Sequence, residues 1–247
     1  MTEKIFCVPG SQPSALWAAD ELKRLGQTVT DTPGENTTHL LLGVPCKQPE
    51  HELTDLLGQC PEHITILGGN LNKPVFAGYR CMDLLQDETY LWKNAAITAQ
   101  IAMTLAARQL IVTWEDTNVL ILGWGRIGQC LAKNLTALGA RVTVAARKET
   151  HRAQIAALGY TALNIAELSY QLSRFRAIFN TVPAPVLSFD QMRLCRKDCV
   201  KLELASYDGM AGSDILTARG LPGTYAPETN GKLIAATVLR LCMEESL

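Results

Sequence analysis

An apolar run that ends in a glycine fingerprint most constrains the fold of this chain. Residues 119–122 read Val-Leu-Ile-Leu, and the pattern G-x-G-x-x-G occupies residues 123–128. In a strand–turn–helix unit, the first glycine permits a sharp turn, the second lets the backbone approach a pyrophosphate, and the third lets the helix pack against the strand. The alternative is a glycine-assisted helix N-terminus with an empty site. The pattern predicts a dinucleotide-binding turn made by Gly123, Trp124, Gly125, Arg126, Ile127 and Gly128.

The end of the next apolar run indicates which dinucleotide is bound. A site for NAD(H) usually carries Asp or Glu about 20 residues after the fingerprint, where it binds the ribose 2′-OH. Here Ala146 occupies that place, followed by Arg147 and Lys148. Because no acid repels a 2′-phosphate and two cations are ready to pair with it, we expect NADP(H) rather than NAD(H). The alternative is that the two cations are solvated loop charges balanced by Glu149.

Composition excludes several classes of protein. The chain has 247 residues, 47% of them hydrophobic and 19% charged, with a net charge of −1, so nothing favours nucleic acid or an anionic membrane as a partner. The longest mainly apolar stretch, residues 95–107, contains polar side chains and is too short to span a bilayer. The N-terminus does not read as a signal peptide. The eight cysteines include no C-x-x-C pair, so we expect free thiols, no metal site and a cytoplasmic protein.

The order of apolar runs predicts an α/β protein with two domains. Strands alternate with helices throughout, which is typical of parallel sheets covered by helices on both faces. We expect a small flavodoxin-like N-terminal domain over residues 1–86 and a Rossmann doubly wound parallel sheet over residues 114–228. A linking helix over residues 87–113 and a C-terminal helix over residues 229–247 would join them, with the last helix returning to the first domain. The active cleft would then lie between the domains, at the carboxyl ends of the strands.

Two later segments of the chain contribute further candidate site residues. The turn Thr181, Val182 and Pro183 follows a strand at the position where Rossmann dehydrogenases line the nicotinamide ribose, although a proline-stiffened turn is the alternative. A later strand leads into a glycine-containing loop, expected to be flexible, where Ser206, Tyr207 and Asp208 are catalytic candidates and Ser206 is also a substrate-binding candidate. Their alternative is a solvent-exposed turn.

Two cations of the first domain are candidates for holding a substrate carboxylate. Arg80 and Lys73 are expected to follow the last strand of that domain. Solvated surface charges are the alternative for both. The first helix, predicted over residues 14–25, should have Leu16, Ala19, Leu22 and Leu25 on its apolar face.

Several short motifs in one order resemble the family of the dipicolinate synthase A subunit, from about residue 83 to the C-terminus and more weakly before it. The motifs are Leu84-Leu85 with Asn94 and Thr98-Ala99, residues 119–128, residues 145–148, residues 180–184, residues 204–206, and residues 220–223 with Ala226-Pro227 and Gly231. The chain differs from the family pattern at Gln100, at Tyr207-Asp208-Gly209-Met210 and at Glu228. The Rossmann domain is also similar to that of D-isomer specific 2-hydroxyacid dehydrogenases.

The resemblance implies a pyridine-nucleotide-linked oxidation of a dihydrodipicolinate-like anionic substrate to pyridine-2,6-dicarboxylate. It also implies a second, flavoprotein-like subunit, and we expect a homo-oligomer. Two other functions remain open. A D-2-hydroxyacid dehydrogenase shares the two-domain plan but usually needs a histidine acid/base late in the chain, and no histidine follows His151. A sensor module that binds NADP(H) without turnover is the non-enzymatic alternative.

Overall fold

The structure, a computed structural model that describes residues 3–10 and 12–244, divides into two compact units. One unit combines the chain up to Asn94 with the segment from Pro222 onward, and the other runs from Ala95 to Leu221. The chain enters the second unit within one long helix and leaves it at the start of a short one. Each unit contains its own parallel sheet.

The first unit is built on a five-stranded parallel sheet in the order β2-β1-β3-β4-β5. This order is flavodoxin-like, which agrees with the flavodoxin-like domain expected from the sequence. The strands are β1 (Ile5–Cys7), β2 (Thr28–Thr30), β3 (His39–Leu41), β4 (Thr65–Gly68) and β5 (Arg80–Asp83). The helices are α1 (Pro13–Arg24), α2 (Glu50–Leu57), the beginning of α3 (Glu88–Ala107), the end of α7 (Leu221–Tyr225) and α8 (Pro227–Glu244).

The packing of α8 decides which face of α1 is buried. A Cβ built on Gly231 would lie only 2.7 Å from the carbonyl oxygen of Ser14 on α1, so a glycine lets the two helix backbones approach closely. Ser14, Ala18 and Leu22 are therefore the buried positions of α1. The expected apolar face is wrong in part, because Leu16 is 51% exposed and Leu25 42% exposed.

Strand β5 was not expected from the sequence, and it moves one candidate residue. Arg80 is the first residue of this strand and pairs with Thr65 at the amino end of β4. The expectation that Arg80 follows the last strand is therefore wrong. Lys73 lies in the connection between β4 and β5, beyond the carboxyl end of β4. The two cations consequently lie at opposite ends of the strands, Lys73 at the carboxyl end and Arg80 at the amino end.

The second unit has a six-stranded parallel sheet in the order β11-β10-β9-β6-β7-β8. The chain proceeds outward from β6 in one direction and then from β9 in the other, which is the doubly wound Rossmann plan. The strands are β6 (Asn118–Leu122), β7 (Arg141–Ala146), β8 (Thr161–Asn164), β9 (Ala177–Asn180), β10 (Val200–Glu203) and β11 (Leu216–Thr217). The helices are the rest of α3, then α4 (Arg126–Ala137), α5 (Glu149–Ala157) and α6 (Phe189–Met192).

Strand β6 shows why this sheet is covered on both faces. Val119 and Ile121 belong to one buried apolar cluster, whereas Leu120 and Leu122 belong to another. Successive side chains of a strand point to opposite faces, so the continuous apolar run fills two cores. The first core contains apolar side chains of α3 and α4, and the second contains Leu168, Leu172 and Phe175.

Two further classes of feature are not found in the described ranges. Within residues 3–10 and 12–244, no helix combines the length and apolar character needed to cross a membrane. The same part of the chain contains no group of three or more His, Cys, Asp or Glu side chains that could hold a metal ion.

A buried histidine in the first unit makes the stability of this protein depend on pH. His39 is 8% exposed, its ring lies 4.8 Å from that of Phe6, and its Nδ1 is 2.7 Å from the Thr38 hydroxyl. Burial is the main reason that the pKa of His39 falls from 6.5 to about 4, with the charges of Lys4 and Arg80 adding to it. The unfolded chain therefore binds one more proton than the native protein between these two values.

We expect this difference to remove about 3 kcal/mol of unfolding free energy as the pH falls from about 6.5 to about 4. The contribution of neutral, buried His39 to the free energy of unfolding is fully present above pH 6.5. Denaturant titrations at several pH values should show that His39→Gln loses most of this pH dependence. The exposed His63, changed to Gln, serves as the matched control and should keep it. If the unfolding free energy of His39→Gln falls between pH 6.5 and 4 as steeply as that of the wild type, His39 is not the cause of the pH dependence.

Candidate functional site

Two glycines of the fingerprint are required by the fold itself. Gly123 follows β6 with a φ of 102°, and a Cβ there would lie 2.5 Å from the hydroxyl of Thr181 and 2.9 Å from Val182 Cγ2. A Cβ on Gly128, in the first turn of α4, would collide with the carbonyl oxygen of Gly123. These contacts bring α4 close to the end of β6, so any side chain at either position would force the turn apart.

The middle glycine is not required in this way. Gly125 has an ordinary φ of −83°, and a Cβ built on it would meet no atom within 4 Å. It is the N-cap residue of α4, and no side chain caps that helix end. The open space beside Gly125 and the uncapped N–H groups together form a cradle that suits a phosphate.

A cavity of 510 Å³ lies next to this cradle, at the carboxyl ends of β6, β7 and β9. This volume is in the range of small-molecule sites. The structure brings nine of the predicted cofactor-binding residues together here, and it adds His151 and Ile165. Arg126, Ile127 and Gly128 do not line the cavity. The lining residues are Gly123, Trp124, Gly125, Ala146, Arg147, Lys148, His151, Ile165, Thr181, Val182 and Pro183.

Trp124 forms part of the cavity wall and also part of the core. Its side chain is 6% exposed, and its ring packs edge-on against that of Tyr160, with 5.9 Å between ring centroids. The side-chain amide of Gln129 donates a hydrogen bond of 3.3 Å to the Trp124 carbonyl. Trp124 is thus held by the core and by α4, which fixes the shape of the glycine turn.

The cavity has a cationic rim at the end of β7. Arg147 and Lys148 are exposed, and among the described residues neither side chain makes a hydrogen bond or an ion pair. Glu149 makes no ion pair with them in that same part of the chain. Arg152, on α5, donates from Nη1 to the carbonyl oxygens of Ala146 at 3.1 Å and of Arg147 at 2.6 Å. These two hydrogen bonds hold the turn that contains Arg147 and Lys148.

Sequence reasoning missed His151 and Arg152. A signal was available, because both residues lie within six positions of Ala146, at the expected end of the second Rossmann strand. Residues that follow this strand share the carboxyl edge of the sheet with the glycine fingerprint.

A buried carboxylate joins the exit loops of β9 and β10. Glu203, the last residue of β10, is 1% exposed, and its two oxygens lie 2.8 and 3.0 Å from the amide nitrogen of Asn180, the last residue of β9. Backbone N–H groups of Ala205, Gly209 and Met210 also donate to Glu203, at 3.2, 2.9 and 3.3 Å. Every one of these donors compensates for the burial of the charge. Sequence reasoning missed this residue, although an acid inside an apolar strand pattern was the signal.

The same two loops are joined by their backbones. The carbonyl oxygen of Gly209 accepts from Val186 at 2.7 Å and from Leu187 at 3.0 Å, and Ala211 donates to Leu187 at 2.9 Å. A Cβ on Gly209 would collide with the Asn180 amide and would lie 2.7 Å from the Ala184 carbonyl. The loop after β10 was expected to be flexible, but in the structure its residues 209–211 are held by these bonds.

The three catalytic candidates lie on the surface part of that loop. Ser206, Tyr207 and Asp208 are all exposed, and none of them lines the cavity. Asp208 forms an ion pair of 2.5 Å with Arg219. The structure therefore does not bring the catalytic candidates together with the cofactor-binding residues.

The two substrate-binding candidates of the first unit are also separate from each other. The Lys73 ammonium donates to the carbonyl oxygens of Cys46 at 3.2 Å and Gln48 at 3.4 Å, and it lies 3.8 Å from the Cys46 sulfur. Arg80 begins β5 at the other edge of the sheet. The two residues do not form one carboxylate-binding pair.

Comparison with known proteins finds similarity to nucleotide-linked dehydrogenases in the part of the chain that contains the glycine turn. Residues 93–186 match the NAD binding domain of the D-isomer specific 2-hydroxyacid dehydrogenases. The A subunit of dipicolinate synthase from Bacillus subtilis (strain 168) is 29% identical over 203 residues, which cover 77% of this chain and 68% of that protein. These matches confirm the similarity to the dipicolinate synthase A subunit that the motifs indicated, and they support an oxidoreductase with a nicotinamide cofactor.

Solved structures show the same fold. The A subunit of dipicolinate synthase from Bacillus halodurans superposes with a TM-score of 0.83 at 21% identity, covering 96% of this chain and 97% of that one. The corresponding chain of dipicolinate synthase from Bacillus subtilis gives a TM-score of 0.81 at 23% identity, covering 99% and 97%. Both contain the α/β architecture described above.

The open space at Gly125 leads to a prediction about binding. Gly125→Val should abolish dinucleotide binding, because the side chain would fill the space beside the helix N-terminus. The protein should stay folded and lose about 1 kcal/mol of stability, since valine is a poor N-cap. Gly34 also has open space and no positive φ, so Gly34→Val is the matched control and should bind normally. Calorimetric titration with NADPH decides the matter, and wild-type affinity in a folded Gly125→Val protein would exclude the turn from the site.

The Glu203 carboxylate leads to a prediction about stability. In Glu203→Gln, the new amide group would face at least two donors in either orientation, at a cost of about 1–3 kcal/mol for each donor left unsatisfied. Denaturant unfolding should show this loss, and the amides of Gly209 and Met210 should exchange with solvent faster. The exposed Glu167, changed to Gln, should have neither effect. Wild-type protection of both amides would contradict this account.

Proposed function

We propose that this protein, which is similar in sequence to the A subunit of dipicolinate synthase, is an NADP(H)-dependent oxidoreductase that acts on a dihydrodipicolinate-like anionic substrate. The observation that carries the proposal is the cavity at the carboxyl edge of the Rossmann sheet, with an uncapped helix N-terminus beside Gly125 and free cations on its rim. Ligands of doubly wound sheets bind at this edge, at the point where the strand order reverses.

The residues present fit a dinucleotide phosphate. The N-terminus of α4 and the space beside Gly125 would hold the pyrophosphate. Thr181, Val182 and Pro183 would line the nicotinamide ribose, because they follow β9 on the other side of the switch point. When bound, the cofactor supplies a carbon that accepts or gives up a hydride.

The preference for NADP(H) over NAD(H) rests on the end of β7. Ala146 occupies the place where an acid would bind a 2′-OH and repel a 2′-phosphate. Arg147 and Lys148 lie on the cavity and make no ion pair with any described residue, so a phosphate would not have to displace an internal partner. Arg152 fixes the carbonyl groups of this turn and thereby limits the conformations of the two cations.

The proposed reaction converts a dihydropyridine dicarboxylate to pyridine-2,6-dicarboxylate. The substrate loses a hydride to NADP⁺ and a proton to solvent or to a base, so two electrons and two hydrogens leave and the ring becomes aromatic. The direction of this transfer follows from the gain of aromaticity. We assign no acid or base, because Ser206, Tyr207 and Asp208 lie outside the cavity.

The similar protein from Bacillus subtilis is one subunit of a synthase, and this supports a proposal about assembly. We infer that the chain forms a homo-oligomer and works with a second, flavoprotein-like subunit. Co-purification of this chain with its proposed partner, followed by light scattering, tests both parts.

A sensor that binds NADP(H) without turnover is favoured by one observation. Apart from Arg147 and Lys148, His151 is the sole titratable side chain among the described residues that line the cavity. Mixing the protein with NADP⁺ and freshly formed dihydrodipicolinate separates the two functions. An enzyme forms many molecules of NADPH per protein molecule, measured by absorbance at 340 nm, whereas a sensor binds the cofactor and forms none.

The cationic rim leads to a prediction about cofactor choice. Arg147→Ala should weaken NADPH binding by about 1–3 kcal/mol, the scale of a charge-assisted hydrogen bond, and should leave NADH binding nearly unchanged. Arg141 begins the same strand at its amino end, so Arg141→Ala removes the same charge away from the cavity and is the matched control. Titrations with both cofactors measure the effect. Equal losses for NADPH and NADH would show that Arg147 does not recognise the 2′-phosphate.

A further inference from the structure

A dicarboxylate substrate needs a cation beside the nicotinamide half of the cofactor. In the proposed orientation the 2′-phosphate lies at the end of β7, so the cofactor crosses β6 and its nicotinamide half lies toward β9 and β10. The cations Arg147 and Lys148 belong to the other half of the site. In the second unit, a cation for the substrate would therefore lie at the carboxyl ends of β10 and β11.

Arg219 lies at that place. It follows β11 by two residues and reaches back over the exit of β10, where its Nε donates to the Ala205 carbonyl at 2.7 Å. Its Nη2 donates to Asp208 at 2.5 Å. The Arg219 side chain is 39% exposed and that of Asp208 is 74% exposed. The bond from Nε fixes the guanidinium group, while the ion pair is open to solvent.

The cation on β10, Lys201, makes its contacts in the interior of the unit. Lys201 is 4% exposed, and its ammonium group binds Asp214 at 2.5 Å and the Cys199 carbonyl at 3.3 Å. It is also the second residue of β10, which places it nearer the amino end of that strand. Arg219 thus provides an arginine at the carboxyl ends of β10 and β11, as Arg147 does at the carboxyl end of β7.

We propose that Arg219 is a substrate-binding residue that accepts one carboxylate of the substrate in exchange for Asp208. The exchange is favourable because an exposed ion pair contributes little by itself. A guanidinium group held through Nε keeps its two terminal nitrogens for a bidentate bond to a carboxylate. Asp208 then competes with the substrate carboxylate for Arg219, and it neutralises the arginine when no substrate is bound. This proposal rests on the proposed function, because it takes the orientation of NADP(H) from it.

The two members of the pair give opposite predictions. Pyridine-2,6-dicarboxylate is titrated calorimetrically into the protein saturated with NADP⁺. Arg219→Gln should weaken its binding at least tenfold, the scale of a lost charge-assisted bond. Asp208→Asn should strengthen binding about two- to fivefold, because the competitor is removed. NADPH affinity should stay the same in both variants.

A second Arg–Asp pair of the same unit provides the matched control. Arg196 and Asp198 are 2.8 Å apart, with side chains 38% and 40% exposed. Arg196→Gln removes a surface ion pair of similar exposure and should leave dicarboxylate binding unchanged. Pyridine-2-carboxylate and malonate are titrated as further probes, one with a single carboxylate and the other without a ring.

The possible results separate the two proposals. If Arg219→Gln and Asp208→Asn both weaken binding, the pair is a structural strap and the inference is overturned. Wild-type binding in Arg219→Gln also overturns it, as does a wild-type protein that binds none of the three probes. If malonate binds in an Arg219-dependent way and pyridine-2,6-dicarboxylate does not, the inference about Arg219 stands and the proposed substrate falls.

Discussion

The burial of Glu203 is the interaction on which the carboxyl edge of the Rossmann sheet depends. Removing a carboxylate from water costs on the order of several kcal/mol unless hydrogen bonds replace the water. Here the replacement comes from Asn180 on the neighbouring strand and from three backbone groups of the following loop. The charge therefore holds β9, β10 and the loop between residues 204 and 210 in one arrangement. This arrangement positions the turn at Thr181, which follows Asn180, and the Ala205 carbonyl group that binds Arg219.

The glycines of the second unit serve two different purposes. Gly123, Gly128 and Gly209 each leave room for protein atoms that would otherwise collide with a side chain. Gly125 leaves room for nothing in the protein, since the space beside it is open. What distinguishes Gly125 from other glycines with open space is its place at the uncapped N-terminus of α4, where a ligand can approach the backbone N–H groups. This distinction separates residues whose change would unfold the unit from those whose change would empty the site.

The charges of the second unit are also divided by their surroundings. Arg152 donates hydrogen bonds to backbone carbonyl groups, and Lys201 donates to a carbonyl group and to Asp214, so both side chains stabilise local structure. Arg147 and Lys148 make no such bonds with described residues, and Arg219 has an exposed partner that a ligand can replace. Cations with no partner, or with one that water screens, are the ones that can bind an anion at low cost.

Much of this protein was determined by its sequence alone. The apolar runs with G-x-G-x-x-G established a Rossmann sheet, and the alternation of short strands and helices established the flavodoxin-like sheet, because both patterns follow from local geometry. That nine of the predicted cofactor-binding residues line one cavity could be foreseen, because parallel strands end at one edge of a sheet. Arg80 could not be placed, since β5 has only four residues and begins and ends with a charged one, and only its pairing with β4 makes it a strand.

Tertiary structure alone decided the remaining features, for a physical reason that they share. The buried face of α1 depends on the approach of α8 at Gly231, more than 200 residues away. The role of Glu203 depends on a donor from a neighbouring strand and on donors from the loop after its own strand, and the partner of Arg219 comes from that same loop. A sequence pattern records which face of an element is apolar, but hydrogen bonds and close approaches between distant segments exist only once the chain has folded.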